Sequence, residues 1–135
     1  SMEILKHMWR VTILLTYLMF TGNAISQTQL SLEEQKKAEV YANYVSSQVF
    51  VELCSKFEAV NTYKDAFKQW AEINQNNIEK GQIILSRHYS SQELEIDEVF
   101  KWKTDAEIKY FNAASKLEKI EACKNLLVSV SMNAS

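Results

Sequence analysis

A chain of 135 residues with no proline, two glycines and a formal net charge of −2 has the length of one domain and almost no material for β-turns. No lysine or arginine cluster exceeds Lys36-Lys37 or the interrupted Lys101-Trp102-Lys103. A phosphate-backbone binder needs a basic face, so nucleic acid is excluded as a partner. With Ala, Leu, Glu, Lys and Gln abundant and no proline to break a helix, the expected fold class is all-α.

Lys6 and Arg10 precede the apolar run Val11, Ile13, Leu14, Leu15, Tyr17, Leu18, Met19 and Phe20. Gly22 ends that run, and Ala24-Ile25-Ser26 then places small residues three and one positions before Gln27. That pattern predicts a signal peptide over 1–26, cut before Gln27, and one helical domain over 27–135. The alternative is a leader that stays attached as a membrane anchor, although the dense run is about half of the ~20 apolar residues a spanning helix needs.

Ser31-Leu32-Glu33-Glu34 has the pattern of a capping box, in which a hydroxyl and a carboxylate satisfy backbone donors at a helix start. Ala38, Tyr41, Val45, Val49, Leu53 and Phe57 follow at three- and four-residue steps and predict a first helix from about 32 to 57. Thr62-Tyr63-Lys64-Asp65 opens a second, from about 63 to 88, with Trp70, Asn74, Asn77 and Gly81 on one face. Ser90-Ser91-Gln92-Glu93 reads as the start of a third, whose stripe runs Ile96, Val99, Trp102, Ala106, Tyr110, Ala113, Leu117, Ile120, Leu127 and Val130. A further capping pattern, Thr104-Asp105-Ala106-Glu107, lies inside that stripe. The expected architecture is an up-down-up bundle of three long helices after the signal helix, or four if the third breaks near Thr104.

In that topology the first and third helices run parallel, which brings Cys54 and Cys123 to the same end. A disulfide between them is expected in an oxidising compartment. A thiol redox enzyme is not expected, because no Cys-x-x-Cys is present to lower a thiol pKa and supply a resolving partner.

His88 is the only histidine after residue 26. Mechanisms that need two histidines, among them His-x-x-x-His zinc sites and paired Glu-x-x-His di-iron bundles, are thereby closed. Gly81 stands alone, so no glycine-rich loop can cradle a phosphate, and no cofactor or metal is expected. A cryptic hydrolase would have to use His88 beside Tyr89-Ser90-Ser91, or carboxylates among Glu93, Glu95, Asp97 and Glu98. The carboxylates at a helix start are expected to answer the helix dipole instead.

Two clusters are candidates for contact with a partner. Trp70, Asn74 and Asn77 put amides where apolar groups belong, the pattern either of a polar groove or of a satisfied core amide. Trp102 between Lys101 and Lys103 has the composition of a binding hot spot, although Trp102 also falls on the core stripe. By elimination the expectation is a secreted or periplasmic, non-enzymatic helical protein that binds a macromolecular partner, as an immunity protein, inhibitor or chaperone does. A membrane-anchored adaptor with a retained leader is the alternative.

Overall fold

The computed structural model describes residues 29–131, and the predicted leader lies outside them. Four helices follow one another: α1 (Leu32–Glu58), α2 (Thr62–Ser90), α3 (Ile96–Ala113) and α4 (Lys116–Ser131). Among the described residues there is no strand.

α1 begins where the sequence places it. Ser31 Oγ accepts from Glu34 N at 3.1 Å, and Ser31 N donates to Glu34 Oε1 at 3.1 Å, which satisfies two donors the helix leaves unpaired. It ends at Ala59, a left-handed residue with φ 54° that turns the chain towards α2. α2 starts after Asn61 with no side-chain cap, so the hydroxyl expected to cap it at Thr62 already lies inside the helix.

α1 and α2 pack antiparallel over most of their lengths. Tyr44 of α1 stacks on Phe67 near the start of α2, while Gly81 near its end lies against the backbone of Lys37. A Cβ built at Gly81 would meet Lys37 C at 2.8 Å and Tyr41 Cβ at 2.9 Å. The glycine is therefore required by a close approach of two helix backbones rather than by a turn.

The predicted capping box at Ser90–Glu93 does not form. α2 continues through Ser90, Leu94 N and Gln92 N both donate to Tyr89 O at 2.9 Å, and Glu93 is left-handed at φ 60°. α3 then starts after Glu95 and runs parallel to α1. Phe100 meets Tyr41 edge-on at 5.3 Å between centroids, and Phe111 meets Phe50 at 6.1 Å.

The third predicted helix is broken, but at Ala114-Ser115 rather than at Thr104. Ala114 is extended, and Ser115 and Glu118 form a reciprocal capping box, with Glu118 N donating to Ser115 Oγ at 3.2 Å and Ser115 N to Glu118 Oε1 at 3.0 Å. Thr104 instead donates its hydroxyl to Phe100 O at 2.9 Å from within α3, the back-bonding a mid-helix threonine adopts. Beyond the break α4 packs on α1 and α2 rather than folding back along α3.

Candidate interaction surface

The cysteine pair fixes α4. Cys54 and Cys123 are disulfide-bonded, with Cα atoms 5.8 Å apart and both side chains fully buried. Sequence and structure agree on the bond, although it reaches α1 from the separate helix α4. Nearby, the Lys119 ammonium lies over the rings of Phe57 and Phe111, 5.8 and 5.6 Å from their centroids. Such contacts set an ammonium against aromatic faces while its stem packs on apolar surface.

α3 is the element whose two faces differ most from expectation. Its inward positions are Phe100, Lys103, Glu107 and Phe111; of the predicted stripe, Ile96 and Val99 pack against the core, whereas Trp102 and Tyr110 are exposed. Glu107 is 6% exposed and accepts from Ser46 Oγ of α1 at 3.1 Å; the same oxygen accepts from Lys103 Nζ at 3.0 Å. The ammonium also lies 5.7 Å from the centroid of the Phe100 ring. Burial pushes the Lys103 pKa down, opposed by Glu107, and pushes the Glu107 pKa up, opposed by Lys103 and the Ser46 hydrogen bond. Two groups whose charged forms are both disfavoured by burial are thus held together through one hydroxyl.

With Lys103 and Glu107 turned inward, Trp102 is turned out. It is 66% exposed, and Tyr110 on the same side is 48% exposed. Trp102 is therefore not part of the core its spacing had suggested. Lys101 beside it is exposed and paired to Asp105 at 3.0 Å.

The α2 candidates are placed differently. Trp70 is buried, and Asn74 is 2% exposed, with Nδ2 donating to Trp70 O at 2.8 Å. Asn77 is half-buried. The four residues Trp70, Asn74, Asn77 and Gly81 do share one side of α2, on which Trp70, Asn74 and Gly81 are buried and Gly81 lies against α1. Asn74 is a core amide spending a donor on its own helix, and the polar groove weighed from the sequence is not formed there.

His88 is buried, with its ring edge-on to Tyr89 at 5.7 Å. The neighbouring hydroxyl is occupied by backbone, since Ser91 Oγ donates to His88 O at 2.6 Å. Glu93, Glu95, Asp97 and Glu98 are exposed along the α2–α3 connection and the first turn of α3. Among the described residues no group of three His, Cys, Asp or Glu side chains is arranged to hold a metal ion, and no helix is long and apolar enough to cross a membrane.

The outward stripe of α3 is thus the feature sequence reasoning came nearest to and misassigned. Its signal was present in the flanking lysines. What hid it was the polarity of the inward positions, Lys103 and Glu107, which made the apolar residues around them look like the core.

Comparison of the chain with protein-family models, with curated proteins and with solved structures finds no match.

Proposed function

We propose that the protein is exported and works by binding another macromolecule, as an immunity protein, an inhibitor or a small chaperone does, with the outward face of α3 as the contact surface. The observation that carries this reading is the exposure of Trp102, which projects from a helix whose other side is anchored to α1. Large aromatics dominate binding energy when a partner desolvates them, and a surface held rigid loses little entropy on docking. The buried disulfide supports both halves of the proposal: it is compatible with an oxidising extracytoplasmic compartment, and it restrains the bundle that presents α3.

The test is affinity capture from envelope extracts of a cell that expresses the protein, run in parallel with wild type, Trp102→Ala and Ile83→Ala. Ile83 is an exposed control on α2. A macromolecule retained by wild type and by Ile83→Ala but lost with Trp102→Ala supports the reading. Retention indifferent to Trp102, or none at all, contradicts it.

A further inference from the structure

We propose that α3 is a strap that lifts from α1 as one unit while fixed at both ends, with the Cys54–Cys123 disulfide holding α4 in place when it is open. The open state is the minor one, so the closed face keeps the geometry described above. The inference does not depend on that face having a partner.

Of its 18 residues α3 buries Phe100, Glu107 and Phe111, whereas α4, with 16, buries Glu118, Cys123, Leu126 and Val130. α1 and α2 each bury more of their length. Helices of this size are held by tertiary packing rather than by their own propensity, so α3 has the least to lose on leaving the bundle. One of its buried groups is the Glu107 carboxyl, and burial disfavours the charged form of Lys103 as well. Lifting α3 returns both to water, which offsets part of the cost of uncovering Phe100 and Phe111. The Ser46 bridge therefore decides which side of α3 faces inward and adds little to keep it there. α3 also has no side-chain hydrogen bond at its N-cap, Glu95, and no basic residue in its last turn to answer the helix dipole.

Both ends of α3 can act as hinges. Left-handed Glu93, at φ 60°, and extended Glu95 precede it, and Ala114, extended at φ −72° and ψ 155°, follows it. A helix that opens near the end of a chain ordinarily takes the segment beyond it along. Here α4 has its own start in the Ser115–Glu118 capping box and its own anchor in the disulfide, which joins it to α1 without passing through α3. When open, the strap uncovers the rings of Tyr41 and Phe50 on α1, which Phe100 and Phe111 meet edge-on in the closed state.

The experiment is native-state amide hydrogen exchange on the full, oxidised chain, read residue by residue by NMR at rising but sub-denaturing urea concentrations. In wild type, the amides of residues 100–111 are expected to open with a common free energy below that of the slowest amides of α1 and α2, while Cys123 and Leu126 stay protected with α1. Phe67→Leu, which loosens the stack of that ring on Tyr44 and Trp70, should speed exchange in the α1–α2 core and leave residues 100–111 unchanged. Lys103→Met with Glu107→Leu should slow residues 100–111 about fivefold or more, since two desolvation penalties are removed from the closed state. Residues 100–111 that exchange only together with the α1–α2 core, in wild type and in Phe67→Leu, overturn the strap. Amides of α4 that open along with α3 in the oxidised wild type overturn the role of the disulfide. Rates unchanged or raised by the double replacement overturn the part given to Lys103 and Glu107. The wild-type comparison decides the first two points even where a variant does not fold.

Discussion

The Lys103 ammonium and the Glu107 carboxylate, one turn apart on α3, both hydrogen-bond the Ser46 hydroxyl of α1, at 3.0 and 3.1 Å. This bridge orients α3: it commits the polar side of the helix to the interior and leaves Trp102 and Tyr110 outside.

Removing one charge should cost more than removing both. Lys103→Met leaves Glu107 buried without its ammonium and is expected to destabilise the protein by about 1–3 kcal/mol at neutral pH. Lys103→Met with Glu107→Leu should recover that loss or exceed wild type, since a packed apolar pair avoids both desolvation penalties. Denaturant unfolding of the two variants and wild type checks the ordering.

The same pair makes a pH prediction. The folded-state pKa of Glu107 is raised, with burial as the cause, so the folded chain holds that proton more tightly than the unfolded chain. Its stabilising contribution is therefore fully present below the unfolded-state value and is lost as pH rises through the folded one. In Lys103→Met, without the opposing ammonium, the carboxyl is raised further. The stability deficit of this variant relative to wild type should shrink as pH falls from neutral into the acidic range. A deficit that stays constant or widens would show that Glu107 does not titrate as its burial requires.

Gly81→Ala should be among the more damaging single-methyl additions. The new Cβ would lie within 3 Å of the Lys37 backbone and of Tyr41 Cβ, atoms that cannot rotate away. Overpacking of this kind costs about 1–3 kcal/mol and should appear as a lowered denaturation midpoint, whereas the exposed control Gln82→Ala should change little.

The disulfide closes a loop between residues 69 apart in sequence, which in the chain-entropy model stabilises the fold by about 4 kcal/mol. Cys54→Ser with Cys123→Ser should lower the melting temperature substantially. Because both sulfurs are fully buried, native-state reduction should be slow and should accelerate in mild denaturant. Fast reduction without denaturant would contradict the burial.

The helical elements and their order were largely legible because Ala38, Tyr41, Trp70 and Val130, all buried, fall where helical periodicity and capping place them. Two features were not. The chain carries Thr104-x-x-Glu107 and Ser115-x-x-Glu118, equivalent as motifs, and only tertiary structure decides between them: Glu107 is occupied by Ser46, whereas Glu118 reaches back to Ser115 N. Replacing Ser115 by Ala should therefore cost about 1 kcal/mol as a lost N-cap, and Thr104→Ala should cost less, a difference that thermal melts of the two variants resolve. The face of α3 was misassigned for the related reason that a hydrophobic stripe identifies the core only when the core side is apolar. Here it contains a lysine and a glutamate that satisfy each other through α1.

The leader expected from the sequence, the buried cysteine pair and the proposed binding face are joined by one proposal, export into an oxidising compartment. Intact mass of the protein recovered from the envelope of an expressing bacterium, with and without reductant, tests it most directly. The account predicts a chain beginning at Gln27 that gains two hydrogens on reduction. A full-length chain in the membrane fraction, with both thiols free, would contradict it and favour the anchored adaptor.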